Sequence, residues 1–158
     1  MFACGIGYDV HRFLPGRLLV LGGVTIDHPL GLEGHSDADV LCHAIADALL
    51  GAAGESDIGH LFPNTEESVR GMSSIVIVRT VRERLSAKGS VVLNVDATLV
   101  AEAPKIAPYL NAMKANLAVA LAVPADRVGI KATTNEGMGF LGRGEGIAAL
   151  AVAAVERK

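Results

Sequence analysis

The sequence predicts a single α+β domain over residues 1–158, in which a mixed β-sheet carries helices on one face. A length of 158 residues suits one domain with a sizeable core. Residues 91–101 and 127–134 alternate apolar and polar side chains, which is the pattern of half-buried strands. Residues 37–53 instead repeat apolar side chains at helical spacing. Strands and helices therefore interleave along a chain that shows no internal repeat, linker or low-complexity tract.

The chain begins with two extended segments. Residues 3–12 favour a strand, in which Asp9 and His11 project from the same side because alternate side chains of a strand point to one face. Residues 17–26 favour a second extended piece, which Gly22-Gly23 interrupts. Whatever Asp9 contacts in the folded protein is thus within reach of His11 as well.

The first predicted helix has an apolar stripe and a polar side that is not simply core. Ser36 followed by Asp39 fits a capping box at its start. The polar side carries Asp39, His43 and Asp47 at successive i+4 steps, and we expect the two carboxylates to cap the helix or to support ligands. Cys42 points about 100° away from His43 around the helix, so we expect it in the core. The apolar stripe consists of Leu41, Ile45, Ala48, Leu49 and Ala52.

The remaining segments complete the α+β pattern. Residues 54–71 hold Gly, Pro, Asn and charged residues without periodicity, and a loop of that length is more often functional than idle. The run IVIV at 75–78 favours a strand locally, whereas the wider pattern favours a helix. Residues 147–155 fit a buried strand or a helix, and their Gly-rich entry favours the strand. The wider pattern over 73–88 predicts a helix closed by Gly89, and 104–121 predicts a helix opened by Pro104. Strands are predicted over 91–101 and 127–134, and a Gly-rich turn over 136–146.

Composition favours a self-associating cytoplasmic protein. Hydrophobic residues make up 51% and aromatic residues only 4%, with a mean hydropathy of +0.41, so we expect the chain to bury apolar surface against copies of itself. A formal net charge of −3 disfavours nucleic-acid binding. The two cysteines, Cys4 and Cys42, form neither a disulfide framework nor a CxxC pair. The chain shows neither the ~18-residue apolar run of a membrane helix nor a signal-peptide layout, so we expect no membrane partner.

The first chemical signal is a metal-binding pattern. A catalytic zinc ion commonly has three protein ligands and one open position. Asp9 and His11 from the first strand and His43 from the first helix would supply such a set, and carboxylate and imidazole suit zinc and related ions. The pattern DxH alone is typical of a surface pair, but a histidine on the polar side of the helix favours the metal interpretation.

The second signal is the segment KATTNEG. Thr133, Thr134 and Asn135 offer neutral donors that suit phosphate oxygens, and Glu136 offers the kind of lone carboxylate that holds Mg²⁺ together with substrate phosphates. Taken alone, the segment is more typical of an ordinary turn with solvated Thr and Asn side chains. The nearby GRGEG at 142–146 lacks the Lys-Ser or Lys-Thr of a Walker A loop, and the chain shows no nucleophile elbow.

In combination, the motifs resemble those of one enzyme family. The stretches YDVHRF, GHSDADVLCHAIADALLGAAG, SDIGHLFP, APK, KATTNEGMGF and GRGEG follow one another as in the 2-C-methyl-D-erythritol 2,4-cyclodiphosphate synthases of the non-mevalonate isoprenoid pathway. The resemblance runs from Ile6 to the C-terminus. It implies a homotrimer around a threefold axis with active sites at subunit interfaces. It also implies conversion of 4-diphosphocytidyl-2-C-methyl-D-erythritol 2-phosphate into the cyclic diphosphate and CMP.

The resemblance also assigns roles to individual residues. It implies a Zn²⁺ ion on Asp9, His11 and His43, and a Mg²⁺ or Mn²⁺ ion on Glu136 and the substrate phosphates. It implies that His35 and Thr134 hold and polarise the diphosphate and that Ser36 contacts phosphate. The methylerythritol hydroxyls and their surroundings correspond to Asp57, Ile58, Gly59 and Phe62. The cytidine pocket, supplied by the neighbouring subunit, corresponds to Ala101, Pro104, Lys105, Ile106, Ala107 and Thr133. A cavity on the threefold axis that can hold an isoprenoid diphosphate corresponds to Phe140, Arg143 and Glu145.

The sequence departs from the family pattern at a few positions. Asn135 replaces a usual threonine, although its amide can still donate to phosphate. Ala38 replaces a frequent glycine at the helix start, and Leu141 replaces a common threonine beside the axial cavity. The lead ESDIG lacks the usual apolar-Gly pair before Asp57.

Two other function classes remain open at this level. A zinc-dependent hydrolase of a small phosphorylated substrate would need a general base near the metal, and Asp39 is the nearby carboxylate that could serve. A non-catalytic oligomer that binds isoprenoid diphosphates at the Gly-rich turn would have no use for DxH and His43.

Overall fold

In the computed structural model, which describes residues 1–63, 65, 67 and 70–157, a five-stranded sheet forms the centre of the fold and is accompanied by a two-stranded sheet. The strands in chain order are β1 (Phe2–Pro15), β2 (Leu19–Leu21), β3 (Val24–Ile26), β4 (Leu30–Leu32), β5 (Ser90–Val100), β6 (Val128–Thr133) and β7 (Gly146–Arg157). The large sheet has the order β4-β1-β7-β5-β6, and β2 pairs with β3 across the Gly22-Gly23 turn. Only β5 and β6 pair in parallel in this sheet, so the mixed sheet is confirmed for the described residues.

Three long helices cover one face of the sheet in the part of the chain that the structure describes. The helices are α1 (Val40–Ala53), α2 (Ile58–Leu61), α3 (Ser74–Ala87), α4 (Leu110–Leu121) and α5 (Gly139–Gly142). α1 packs on β1 and β7, α3 packs on α1 and β5, and α4 packs on α3 and β6. The α+β prediction is therefore confirmed, as are the helix at 73–88 and the strand at 147–155. None of the helices within the described ranges has the length and apolarity that crossing a membrane requires.

Two predicted helix starts are wrong. α1 begins at Val40 with Asp39 as its N-cap, whose side chain accepts from the Cys42 backbone N–H at 3.1 Å. Ser36 lies outside the helix, and its hydroxyl accepts from the backbone N–H of Ala38 instead of forming a capping box. α4 begins at Leu110 and not at Pro104, because a 3-10 turn over Ala107–Tyr109 precedes it. The capping role predicted for Asp39 is confirmed.

Two short helices lie where the sequence predicts loops. α2 falls within 54–71, where Asp57 caps it by accepting from the His60 backbone N–H at 3.1 Å. Residues 64, 66, 68 and 69 of that predicted loop lie outside the described residues. α5 falls within the predicted Gly-rich turn at 136–146. Both helices have one turn, which is too short for a periodic apolar pattern to reveal.

A β-bulge shifts the predicted alternation of β5. The register against β7 is interrupted between Val92 and Asn94. As a result Val92 is buried while Val91, the first residue of the alternation predicted over 91–101, is 50% exposed. Beyond the bulge the alternation holds, with Val95, Ala97 and Leu99 buried. A bulge inserts one residue into a strand and cannot be read from periodicity alone.

The contact between β1 and α1 is a close approach of two backbones. An added Cβ at Gly5 would lie 2.2 Å from the Ala48 carbonyl oxygen, and one at Gly7 would lie 2.0 Å from the Ala44 carbonyl oxygen. Only glycine permits this approach, which lays the strand directly on the helix. Asp9 and His11 continue the same side of β1, so the close approach directs both toward the N-terminal half of α1.

The opposite face of the large sheet is apolar and exposed. The side chains of Ile6, Tyr8 and Val10 on β1 alternate with those that face α1. Their exposures are 71%, 52% and 37%, and Leu150 and Val152 on β7 are 42% and 47% exposed. An apolar sheet face of this kind normally packs against another layer of protein.

We expect Gly7→Ala to destabilise the protein by roughly 1–3 kcal/mol, because the new methyl group forces α1 away from β1. Gly51→Ala is the matched control, since Gly51 lies inside α1 and an added Cβ there would lie 3.7 Å from the Ile6 carbonyl oxygen, an ordinary contact distance. Alanine is favoured over glycine there by up to about 1 kcal/mol, so this variant should be more stable. Urea denaturation at one protein concentration measures both variants. Equal midpoints for wild type and Gly7→Ala would contradict the close-contact argument.

Candidate active site

Asp9, His11 and His43 converge at the junction of β1 and α1. Asp9 Oδ2 lies 2.9 Å from His11 Nε2 and 2.9 Å from His43 Nδ1. The two nitrogens are 3.3 Å apart. Each of the three side chains thus offers one ligand atom, and these three atoms lie within 4.8 Å of one another. This is the group of side chains that the sequence predicts as a metal site.

The electrostatics of the cluster favour an ionised carboxylate. Burial raises the pKa of the Asp9 carboxyl, but hydrogen bonds and charge interactions with His11 and His43 outweigh burial and hold the pKa well below its ordinary value. Burial lowers the pKa of His11, yet the hydrogen bond and charge of Asp9 raise it above the usual value. A carboxylate and two imidazoles with converging nitrogen and oxygen atoms form a donor set that attracts a cation.

The second ring nitrogen of His43 is held by serine hydroxyls. His43 Nε2 lies 2.9 Å from Ser74 Oγ and 3.2 Å from Ser36 Oγ. When Nε2–H donates to one of these hydroxyls, Nδ1 keeps its lone pair for the cluster. Metal-bound histidines commonly donate their other ring N–H in this way. The residues present therefore fit a zinc ion in ligand type, ligand number and outer support.

A cavity of about 200 Å³ opens beside the three side chains. His35, Ser36 and Gly34 form one part of its wall, next to the three converging side chains. Ile58, Gly59 and Phe62, which the resemblance assigns to the sugar, line the same cavity. Ile77 of α3 is a further lining residue that the sequence analysis missed, because it is indistinguishable from core residues of the same helix. Asp57 is exposed at the N-cap of α2 and does not belong to the lining.

A second cavity, of about 230 Å³, contains the residues that the resemblance assigns to cytidine. It lies between the end of β6 and the segment after β5, and it also includes Thr134. The two cavities share no lining residue among those described. The lining of this second cavity consists of Ala101, Glu102, Pro104, Lys105, Ile106, Ala107, Ala132, Thr133 and Thr134.

The loop after β6 is held by its own polar groups and by Glu102. Thr134 Oγ1 donates to Glu136 Oε1 at 2.9 Å, which places the predicted phosphate and metal groups together. Glu102 Oε1 accepts from the Asn135 backbone N–H at 2.8 Å and from the Gly137 backbone N–H at 3.3 Å. The sequence analysis missed this role of Glu102, and its place beside the APK motif was the available signal. Asn135 Nδ2 donates to the Met138 carbonyl oxygen at 2.7 Å, so one of its two amide protons is used within the loop.

A third cavity, also about 230 Å³, adjoins the exposed sheet face. Phe140 and Glu145, which the resemblance assigns to the axial cavity, line it together with Val10, His11, Arg12 and Gly146. Arg143 does not line it, and its Nε pairs with Glu145 Oε1 at 2.6 Å.

Two carboxylates on α1 serve structure around the site. Asp39 is fully buried and accepts from the backbone N–H groups of Gly23 and Cys42, at 2.7 and 3.1 Å. Its carboxylate is thus occupied in tying the β2–β3 turn to the helix start. Asp47 Oδ1 accepts from the Ile58 backbone N–H at 2.8 Å and fixes α2 against α1. Cys42 is buried beside them in the core, as predicted.

Glu55 anchors the segment that leads to α2. Its carboxylate forms an ion pair with Arg84 and a second one with Lys88 Nζ at 2.7 Å. The hydrogen bond with Lys88 is the largest influence on its pKa, which lies below the ordinary value. Glu55 is the first residue of ESDIG, the segment that departs from the family pattern. Its ion pairs therefore connect this segment to the end of α3.

Several known proteins are similar to this chain in sequence and in structure. The family model described as the YgbB family matches residues 2–156. The 2-C-methyl-D-erythritol 2,4-cyclodiphosphate synthase of Alkaliphilus metalliredigens is 55% identical over 151 residues, which cover 96% of this chain and 95% of that protein. The solved structure of the bifunctional IspDF from Campylobacter jejuni matches with a TM-score of 0.95 and 38% identity over 100% of this chain, which spans 43% of that longer chain. A CDP complex of IspF from Plasmodium falciparum matches with a TM-score of 0.86 and 31% identity, over 99% of this chain and 97% of that one.

The Glu55 ion pairs predict a specific pH dependence of stability. Because the folded-state pKa of Glu55 is lowered, its stabilisation is present above the unfolded-state value near 4.5 and is lost as the pH falls through the folded-state value. Glu55→Gln should therefore lower the unfolding free energy at neutral pH, by the ~0.2–1 kcal/mol typical of partly exposed pairs. Its difference from wild type should shrink under acid conditions. Urea denaturation across the acid range measures this, and a constant difference would contradict the pairing.

Proposed function

The chain belongs to the YgbB family, and from this membership we infer that it is an enzyme that converts 4-diphosphocytidyl-2-C-methyl-D-erythritol 2-phosphate into 2-C-methyl-D-erythritol 2,4-cyclodiphosphate and CMP. This is a lyase reaction of the non-mevalonate isoprenoid pathway. The observation that carries the conclusion in this chain is the convergence of Asp9, His11 and His43 in a cavity shared with His35 and Ser36.

The chemistry asks for positioning more than for a protein nucleophile. An oxygen of the substrate's 2-phosphate attacks the β-phosphorus, and the bond from that phosphorus to the oxygen shared with the α-phosphorus breaks. The electron pair leaves with the α-phosphate, which departs as CMP. The protein must fold the substrate back on itself, hold the reacting groups in line and stabilise charge on the diphosphate. The cavity beside the cluster supplies walls on which this folding can take place.

We propose Zn²⁺ on Asp9, His11 and His43, and Mg²⁺ or Mn²⁺ on Glu136 with the substrate phosphates. When bound, the two ions supply Lewis-acid stabilisation of the diphosphate charge. The chain's own residues orient the same group. His35 donates hydrogen bonds to its oxygens, Thr134 does so once its hydroxyl proton turns from Glu136 to the phosphate, and Ser36 offers a further hydroxyl at the cavity wall. The hydrogen bond between Thr134 and Glu136 supports their action on one phosphate group.

We propose that the remaining subsites follow the cavities. Asp57 and the backbone around Gly59 bind the methylerythritol hydroxyls, with Ile58 and Phe62 as an apolar wall that excludes water. The cytidine base and ribose occupy the cavity lined by Ala101, Pro104, Lys105, Ile106, Ala107 and Thr133, and the adjoining Asn135 contacts phosphate through its remaining N–H. The hydrogen bond from the Ile58 backbone N–H to Asp47 Oδ1 keeps the residues proposed to contact the sugar close to α1.

We also propose a cytoplasmic homotrimer whose active sites lie between subunits. The exposed apolar face of the sheet offers the surface that such an assembly buries. Asp9, His11 and His43 line one cavity, whereas Thr134, which is hydrogen-bonded to Glu136, lines another, so a site that uses both groups is completed most simply by a neighbour. The cavity beside Phe140 and Glu145 would then adjoin the threefold axis, where an isoprenoid diphosphate could bind with Arg143 released from Glu145 to pair with it.

The relatives named above do not support a zinc-dependent hydrolase as the alternative. The carboxylate that such an enzyme would use as a base, Asp39, is fully buried and caps α1. A water-activating site would also release an uncyclised phosphate, which distinguishes it from the synthase in a single assay.

We expect the purified protein with Zn²⁺ and Mg²⁺ to convert the proposed substrate into a cyclic diphosphate and CMP, as followed by phosphorus NMR. His43→Ala should abolish the reaction, because it removes a ligand from the cluster. His28→Ala is the matched control, since His28 packs on Phe13 outside the cavity and should leave activity intact. CMP with an uncyclised phosphate would establish hydrolysis instead, and no turnover by metal-loaded protein would refute the substrate assignment.

Shared active sites predict complementation between inactive variants. His43→Ala lacks one of the three proposed zinc ligands, and Glu136→Gln lacks the carboxylate proposed to hold Mg²⁺ or Mn²⁺, so each variant should be inactive alone. In randomly mixed trimers, about a quarter of the interfaces would combine an intact cluster from one subunit with an intact Glu136 from its neighbour. Co-expression of the two variants, followed by the same assay, should thus restore roughly that share of activity. No recovery from verified mixed trimers would contradict the shared site.

A further inference from the structure

We propose that Ser74 and Asp37 are positioning residues for the metal site, which act by selecting the ring tautomer of His43. This inference rests on the proposed function of the cluster and deepens it. In the selected tautomer the proton resides on Nε2, and Nδ1 presents its lone pair to the cation beside Asp9 and His11.

The direction of the hydrogen bonds fixes the tautomer. The Ser74 hydroxyl donates its proton to Asp37 Oδ1, while the Ser74 backbone N–H donates to Asp37 Oδ2 at 3.0 Å. With its proton committed to a carboxylate, Ser74 Oγ can only accept toward His43 Nε2, which lies 2.9 Å away. The proton of the ring therefore belongs on Nε2. The chain from carboxylate to hydroxyl to imidazole also increases the basicity of Nδ1 as a ligand.

The opposite side of the ring makes the same demand. With Nε2 protonated, the lone pair of Nδ1 faces Asp9 Oδ2 at 2.9 Å and His11 Nε2 at 3.3 Å. A carboxylate oxygen is an acceptor only, so two lone pairs that face each other at this distance require a positive charge between them. A bound divalent cation supplies it. The serine contact and the convergent cluster are thus two halves of one arrangement.

The support is rigid because it joins two backbone segments. Ser74 is fully buried and is the first residue of α3, where a backbone N–H lacks a partner within the helix. Asp37 accepts that N–H, and its own backbone N–H donates to the Met72 carbonyl oxygen at 3.0 Å. The start of α3 and the segment before α1 are consequently tied together directly behind the ligand.

Ser36 is the competing partner and has a different role. Its hydroxyl oxygen lies 3.2 Å from His43 Nε2 and already accepts from the Ala38 backbone N–H at 3.1 Å. A single N–H bonds chiefly to the nearer acceptor, which is Ser74. The Ser36 proton can then be donated to Ser74 Oγ, 3.4 Å away, or to a phosphate oxygen at the cavity wall.

Zinc affinity measured by competition with a chromogenic chelator tests the proposal. Ser74→Ala should weaken binding of Zn²⁺ by the 10–100-fold typical of lost outer-shell partners. Ser73→Ala is the matched control, because Ser73 precedes Ser74 at the same helix start and its side chain makes no capping hydrogen bond. It should bind Zn²⁺ like wild type. Equal affinity of folded Ser74→Ala and wild type would overturn the proposal.

A second variant and a spectroscopic readout separate positioning from folding. Asp37→Asn retains the shape of the carboxylate but weakens the acceptor for the Ser74 hydroxyl, so it should also lower zinc affinity, and an unchanged affinity would overturn the relay. Nitrogen-15 NMR of the zinc-loaded protein should show the His43 proton on Nε2, slow to exchange with water in wild type and faster to exchange in Ser74→Ala, where its acceptor is gone. An unchanged exchange rate and chemical shift of that N–H in Ser74→Ala would overturn the proposal. Failure of wild type itself to bind Zn²⁺ would refute the metal site, which is a different outcome from equal binding by the variants.

Discussion

The backbone contact between β1 and α1 is the constraint on which the rest of the site depends. Gly5 and Gly7 let the strand lie against the carbonyl groups of Ala48 and Ala44. The next two residues that face the helix are Asp9 and His11, so the same approach that closes the core also brings these ligands to His43. A wider spacing, as with larger side chains on β1, would leave the three ligand atoms too far apart for one cation.

Without hydrogen-bond partners, the converging polar side chains of Asp9, His11 and His43 would destabilise the folded protein. Buried polar groups are costly unless each lone pair and each proton is satisfied. A cation would satisfy Asp9 and the ring nitrogens that face it, while Ser74 accepts from His43 and Asp37 accepts from Ser74. The contact between Ser74 and Asp37 also uses a group that secondary structure leaves free, the backbone N–H at the start of α3. The polar network thus begins where helix geometry already requires hydrogen-bond acceptors from outside the helix.

Much of the fold and the ligand set could be predicted, because both depend on short-range periodicity. The i, i+2 spacing of Asp9 and His11 and the polar side of the helix around His43 are local patterns, and the structure unites them as expected. Ser74, Asp37 and Glu102 could not be found in this way, since their roles arise from contacts between segments distant in sequence. The bulge after Val92 and the single turn of α2 are likewise set by tertiary packing and leave no periodic signal.

The distribution of groups over separate cavities connects the fold to the proposed assembly. The helix side of the sheet contains the core and the convergent side chains of Asp9, His11 and His43, whereas the other side is apolar and exposed. The loop that carries Thr134 and Glu136 is prepared by Glu102 but lines a cavity without the cluster. If association covers the open face and brings that loop to a neighbour's cluster, burial of apolar surface and completion of the active site become one event. Catalytic competence would then require assembly, because neither cavity alone contains both sets of groups that neutralise a diphosphate.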